Sequence, residues 1–461
     1  MALRRTGMTS SKSNFFPNIF IKPAYPLLDF IMVDIAAEEP HRELTLRELM
    51  RGNILVLTVS RILWSMSSSI VWPFVSLYII ELGGNAPTIG KITALANVAG
   101  MLFFPLGGYL ADKSGRAKLV GYSTLLFAGS LSVFAMAKSW QWIAAAMTIQ
   151  SLVLFYMPAL NAIMADSIPP GARGKILSLT ISIPEAVRIF SPFIGGWLIE
   201  RYTLVPAMRI GYSISFITAA FVGFMRIKYL EETIETEPLN KGVVEIFKES
   251  YRNVWVSTSW ILKNMGGYTV IAMVLIFSGS LVQPYWAVYA KTITGISEFQ
   301  WGQVALVGGI AKTIISLYVG SFVDKRGAKK SMIISFLIAI PAMIGFVYTR
   351  GLFDTTIVYI ILVLANAFIW IASGVLIADS IPRNIRGRIM AGLGQGIPLG
   401  ITGGGYAQGF MLFIPSALGS LISGYIYDYN PAYPWYLQSI LLALCLLLVI
   451  KLVKEPDHAE I

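Results

Sequence analysis

Apolar runs long enough to cross a bilayer recur along this chain, separated by short loops rich in Lys and Arg. As a helix, about 20 apolar residues span a hydrocarbon core of about 30 Å, and there every backbone N–H and C=O must be satisfied within the protein. Twelve such runs are marked: residues 53–81, 89–110, 118–137, 141–165, 176–199, 206–226, 267–290, 300–322, 331–349, 356–378, 391–427 and 434–452. Composition agrees, since only 13% of the 461 residues are charged and 56% are hydrophobic, whereas a soluble domain has about 25% charged. A disordered chain and an ordinary soluble enzyme are excluded.

The formal net charge of +11 does not imply a nucleic-acid partner, because the cations sit in clusters between apolar runs. One side holds Arg42/Arg47/Arg51, Lys113/Arg116/Lys118, Arg173/Lys175, the stretch from Arg226 to Lys263, Lys325/Arg326/Lys329/Lys330, Arg383/Arg386/Arg388 and Lys451/Lys454. The other side holds Lys91, Lys138, Arg201, Arg209, Lys291 and Arg350. Positive residues stay cytoplasmic, so a multi-pass cell-membrane protein with both termini in the cytoplasm is expected. Cys445 is alone, and His41 and His458 lie in the polar tails. No disulfide, metal site, cofactor or intramembrane histidine relay is therefore expected.

The runs divide the chain into a cytoplasmic tail at 1–51, six spans at 52–227, a cytoplasmic linker at 228–265, six spans at 266–452 and a tail at 453–461. Phe15 to Met32 is apolar but broken by Pro17, Pro23 and Pro26, and no small-residue cleavage site follows, so it does not read as a signal peptide. Met32 is an alternative start, and 42–52 has the pattern of a short amphipathic helix. The linker carries Glu231, Glu232, Glu235 and Glu237, then a helical pattern from Val243 to Leu262.

The two sets of spans repeat each other. The stretch from Asn161 through Asp166, Pro169 and Arg173 to Lys175 matches that from Gly374 through Asp379, Pro382 and Arg386 to Arg388, at an offset of 213. The stretch Gly108, Asp112, Lys113, Gly115, Arg116 and Lys118 matches Gly320, Asp324, Lys325, Gly327 and Lys330, at an offset of 212. Two motifs at nearly one offset imply an all-α membrane protein. Its twelve transmembrane helices form two pseudo-symmetric six-helix halves around a shared cavity.

The Gly108 to Lys118 segment resembles the signature loop between spans two and three of the major facilitator superfamily, and the Gly320 segment resembles its copy. The resemblance covers about residues 50–455 and implies a transporter working by alternating access. It implies that Asp112 helps latch the halves on the cytoplasmic side, together with Gly108, Gly115, Arg116, Gly320, Asp324 and Gly327. Gly108 and Gly115 suit close packing and a tight turn. The basic residues of these loops serve equally well as topology determinants. Ser191-Pro192-Phe193-Ile194-Gly195-Gly196 resembles the family's antiporter motif, with Ser178, Val187 and Ser191 where that pattern has glycine. Simple helix packing accounts for Pro192, Gly195 and Gly196 equally well. Met147 stands where many members have a proton-linked arginine, which argues against proton coupling by that route.

Charges inside spans are costly and mark function by default. Arg61, Glu185 and Lys312 lie ~12–15 Å from the cytoplasmic ends of their spans at ~1.5 Å per residue, and Arg188 one turn further. Glu185 and Arg188, three residues apart, share a helix face and can pair. Glu185 is the carboxylate to carry a coupling proton; the alternative is a permanent ion pair with Arg188. Three cations against one carboxylate favour an anionic or amphipathic substrate, with Arg61 and Lys312 grasping it from opposite halves. Trp64, Gln283, Tyr285 and Trp286 are expected to line the cavity.

Residues 389–427 are too many for one straight crossing and carry eight glycines between Gly392 and Gly409, with Pro398 among them, so a broken segment is expected, as a gate or as a loop at the cytoplasmic mouth. The expected function is ion-coupled export of a small molecule, with protons as the candidate ion and one chain sufficing as a monomer. Proton-coupled uptake and a sensor with a transporter fold are the rivals. No nucleotide-binding loop, His-based triad or metal-ligand motif supports an enzyme.

Overall fold

A computed structural model describes residues 50–113, 115–168, 173–235, 242–382, 385–401, 409–453 and 455. The helix expected before residue 50 and most of the tail after 453 lie outside the described residues. Every regular element described is helical. The first span combines α1 (Gly52–Val71), a 3-10 turn at Trp72–Phe74 and α2 (Val75–Glu81). Then come α3 (Ala86–Lys113), α4 (Arg116–Ala135), and α5 (Trp140–Val153) with α6 (Met157–Ser167). α7 (Arg173–Arg188), α8 (Ser191–Tyr202) and α9 (Leu204–Tyr229) complete the first repeat.

The second repeat opens with α10 (Val243–Val282), a 3-10 turn at Gln283–Tyr285 and α11 (Trp286–Tyr289). α12 (Glu298–Arg326), α13 (Ala328–Val347) and α14 (Leu352–Ser380) follow. α15 (Arg386–Leu393), α16 (Phe413–Tyr429) and α17 (Tyr433–Leu452) end the chain. Among the described residues, eleven helical stretches are long and apolar enough to cross a membrane. The expected run at 176–199 is not one of them, because α7 and α8 are separate pieces of 16 and 12 residues.

Local chemistry repeats along with the sequence. Pro73 and Pro284 both sit in a 3-10 turn that interrupts a span, since proline cannot donate to the helical ladder. Gly115 and Gly327 precede α4 and α13 with φ of 89° and 88°, a region glycine enters without strain. Each of these helix starts is met by a carboxylate from the end of its own repeat. Glu232 accepts from the Ala117 N–H at 3.0 Å, and Glu455 from the Lys329 N–H at 2.6 Å. Anions are favoured there by the unpaired N–H groups and the helix dipole.

One expectation needs correcting. Gly108 does not mediate close packing, since the space where its Cβ would stand is empty; the neighbouring Gly107 abuts the Phe155 carbonyl instead. The helical pattern expected from Val243 to Leu262 is present. It is the beginning of α10, kinked at Met265 (φ −129°, ψ 26°). Its Tyr251 hydroxyl donates to the Leu102 carbonyl of α3 at 3.0 Å, and Phe247 meets Phe103 edge-on.

The repeats meet through reciprocal glycine contacts at the end remote from the basic loops. A Cβ on Gly196 of α8 would stand 2.8 Å from the Glu298 carbonyl oxygen at the start of α12, and one on Gly424 of α16 would stand 2.9 Å from Pro87 at the start of α3. Gly302 faces the Pro192 carbonyl as Gly90 faces that of Ser420. Tyr285 adds a hydrogen bond of 3.0 Å to the Ala86 carbonyl. α8 packs along α12, whereas α7 lies along α1.

Candidate functional site

Glu185 stands on α7, one turn before that helix ends at Arg188. Its Oε2 accepts from Arg188 Nη2 at 2.8 Å and from Lys312 Nζ at 3.4 Å. The first bond is the pairing that the three-residue spacing allows. The second joins the first repeat to the second, and among the described ion pairs it is the one that does so. The Glu185 and Lys312 side chains are 45% and 48% exposed, so the bridge is not enclosed in a dry core. Arg61 is exposed on α1, near enough for its charge to interact with Glu185. Its Nη1 reaches the Thr180 carbonyl at 3.5 Å, the limit of a hydrogen bond. The structure thus gathers Arg61, Glu185, Arg188 and Lys312, which are up to 251 residues apart in sequence.

A fifth charge belongs to this neighbourhood. Arg226, expected to open the linker's basic cluster, is instead buried, 6% exposed, in the last turn of α9. Its Nε donates to Ser60 Oγ at 3.2 Å and its Nη1 to Thr124 Oγ1 at 2.8 Å, with the Tyr156 phenol beside it. Arg61 is close enough to repel it.

The aromatic and amide candidates divide. Gln283 is half-buried in its 3-10 turn, and Trp64 is half-buried with its ring edge-on to Phe127. Tyr285 is fully buried and stacked on Tyr427. Trp286 is 1% exposed, enclosed by Phe346, Tyr359 and Trp435, so it faces no cavity here. Its Nε1 donates to the Gly400 carbonyl at 2.8 Å.

That bond explains the course of the long eleventh run. After α15 the chain leaves the helix at Gly394 and threads as mostly buried, non-helical backbone to Ile401. Ile397 N donates to Ser373 Oγ at 2.9 Å, Leu399 N donates to Asn366 Oδ1 at 2.9 Å, and Leu399 O accepts from Gln438 Nε2 at 2.7 Å. Side chains of α10, α11, α14 and α17 surround it, as unwound backbone at membrane depth requires. Residues 402–408 lie outside the described residues.

The motif residues occupy the basic side. Arg116 at the start of α4 forms an ion pair with Asp166 at the end of α6, and its Nη1 donates to Thr233 Oγ1 at 3.3 Å. This joins the signature loop to the first copy of the other repeated motif. In the second repeat Ala328 stands at the position of Arg116, Asp379 lies in the last turn of α14, and Asp324 is exposed. The side chains of Asp112, Arg173 and Arg386 lie outside the described residues. Gly320 has no neighbour where its Cβ would be, whereas Gly195 abuts the Ile70 carbonyl.

A sequence profile of the Major Facilitator Superfamily matches residues 57–404 and 268–461. The multi-drug resistance efflux pump PmrA homolog of Lactococcus lactis is 23% identical over 302 residues, covering 63% of this chain and 72% of the relative. The multidrug resistance protein MdtG of Salmonella arizonae is 22% identical over 350 residues, covering 74% and 84%. Among solved structures, a D-xylose-proton symporter superposes with a TM-score of 0.63 at 17% identity, covering 87% of this chain and 97% of its own. The human organic anion transporter MFSD10 does so at 0.60 and 15%, covering 86% and 98%. These likenesses establish the same fold, and the profile match establishes descent: the chain belongs to the major facilitator superfamily, a multi-pass membrane transporter of small molecules rather than an enzyme.

Proposed function

We propose that the protein is an ion-coupled exporter of an anionic or amphipathic small molecule, with twelve crossings in two pseudo-symmetric halves and both termini in the cytoplasm. The observation that carries this reading is Glu185 held between Arg188 of its own repeat and Lys312 of the other. With Glu185 ionised, the bridge ties the halves together at mid-depth. Protonation removes the attraction for Lys312 and leaves that ammonium, with Arg61, to bind an anion. Ionised Glu185 and the substrate anion then compete for one pair of cations, so protonation of Glu185 and anion binding are coupled. The efflux activity named for the PmrA homolog favours the outward direction. The half-exposed position of the bridge suits a binding chamber facing the basic side.

Purified protein in detergent, titrated with a panel of anions, zwitterions, neutral sugars and lipophilic cations, tests the substrate class through ligand-induced thermal stabilisation. The expected result is a shift with an anion that disappears in Arg61→Ala and Lys312→Ala. A shift with a lipophilic cation that depends on Glu185 overturns it. Flux in liposomes under an imposed pH gradient tests coupling: Glu185→Gln is expected to abolish the response to the gradient, and unimpaired transport by all three variants removes the charge-cluster mechanism.

A further inference from the structure

Arg226 is the least expected charge in the molecule. It is more than nine-tenths buried within a membrane span, and the partners described for it are the hydroxyls of Ser60, Thr124 and Tyr156. Hydroxyl dipoles solvate a guanidinium but do not neutralise it. In a low-dielectric surrounding its field therefore reaches further than it would in water. The nearest cation it acts on is Arg61, whose neighbour in the chain, Ser60, it holds directly. Glu185 does not cancel this pair, because Arg188 and Lys312 already share that carboxylate. Four cations therefore stand around one carboxylate. Two arginine charges that repel each other within one bundle of spans are costly to hold, and an arriving anion lowers that cost.

We propose that Arg61 and Arg226 form the anion-selecting pair of the first repeat, where Arg61 contacts the carboxylate, sulfonate or phosphate of the substrate and Arg226 is its buried positioning charge. The inference rests on the anionic-substrate reading and adds the residue that sets charge selectivity. Ser60, Thr124 and Tyr156 hold the Arg226 guanidinium away from the cavity, so it does not bind the anion itself. Its field opposes neutralisation of Arg61 by Glu185 and attracts anions to the exposed Arg61 head.

The test compares 1-naphthalenesulfonate with tetraphenylphosphonium, two aromatic ions of opposite charge, binding to detergent-purified protein. Arg226→Gln is expected to weaken the sulfonate by about tenfold and to tighten the phosphonium, because the field of a buried charge is poorly screened. Arg226→Lys keeps the charge without the planar fork and is expected to hold the sulfonate within about threefold of wild type. Tyr156→Phe, which leaves the charge in place, serves as the packing control and is expected to keep sulfonate affinity. Sulfonate binding unchanged in a folded Arg226→Gln, with Arg61→Ala still abolishing it, overturns the role of Arg226 alone. A wild type that shows no sulfonate preference, with no effect of Arg61→Ala or Lys312→Ala, overturns the anionic reading itself. Added phosphatidylglycerol is expected to leave sulfonate binding unchanged. Displacement would assign the arginine pair to a lipid headgroup and overturn a substrate role.

Discussion

Residues 173–202 and 386–429 hold corresponding places in the repeat, Gly196 standing to Gly424 as Glu298 stands to Ala86, and both are interrupted near mid-depth. In the first, the break is a turn of two residues at Ile189 and Phe190, and helical bonding resumes at once. The segment is left with charged side chains, Glu185 and Arg188, facing the other repeat. In the second, the chain abandons the helix from Gly394, and neutral side chains satisfy the exposed peptide groups: Ser373, Asn366, Gln438 and Trp286. One repeat spends its buried polarity on ions and the other on its own backbone. The difference teaches that pseudo-symmetry of contact does not require symmetry of chemistry. Gly196 and Gly424 make matching contacts, while the pieces beside them on the basic side have diverged into a charged arm and an uncharged plug.

The comparison is most easily broken at Gly400, whose φ is +76° and whose Cβ would collide with Gly279. Gly400→Val is expected to cost at least about 3 kcal/mol from strain and overpacking together. Thermal unfolding in detergent reads this directly, and a wild-type Tm would remove the close approach of the plug to α10. The matched contacts come next. Gly196→Ala and Gly424→Ala place a methyl group 2.8 Å and 2.9 Å from backbone atoms of the opposite repeat, and each is expected to cost about 2 kcal/mol. Markedly unequal losses would break the equivalence of the two contacts. Trp286→Phe keeps the aromatic packing but leaves the Gly400 carbonyl without its donor, a loss of about 1 kcal/mol; an unaltered unfolding temperature would show that the plug does not need that bond. Glu185→Gln is expected to change stability least, by under about 1 kcal/mol, because the pair is nearly half exposed. A small change in Tm with transport lost sharpens the contrast, since the charged arm then serves function while the plug serves the fold.

Much of this was legible beforehand, for identifiable reasons. Bilayer thickness sets the length of an apolar run, so the spans stand out without any knowledge of packing. Helical spacing puts Glu185 and Arg188 on one face, and they meet. Arg226 was not legible as a buried group, because it ends an apolar run among other cations and its partners Ser60 and Thr124 are 166 and 102 residues away. Nor was the difference between Gly107 and Gly108, which depends on where the Phe155 carbonyl falls. Trp286 illustrates a third limit. An aromatic just after the turn at Pro284 reads as a ligand contact, yet its indole N–H is taken by a peptide carbonyl over a hundred residues away. Sequence reports polarity, whereas only the fold reports which polar groups are already engaged.

The burial of Arg226 also has a consequence for the order in which the chain is made. Ser60, Thr124 and Tyr156 all precede it. A helix carrying an unaccompanied arginine near one end leaves an insertion channel for lipid reluctantly. Here the first, third and fourth spans have already been synthesised when the sixth emerges, and the hydroxyl pocket that receives the guanidinium is waiting. Reversing that order, by circular permutation that places Leu204–Tyr229 ahead of Gly52–Glu81, would send the arginine into the bilayer before its partners exist. Assembly of the first repeat is therefore directional, with its most polar buried residue added last.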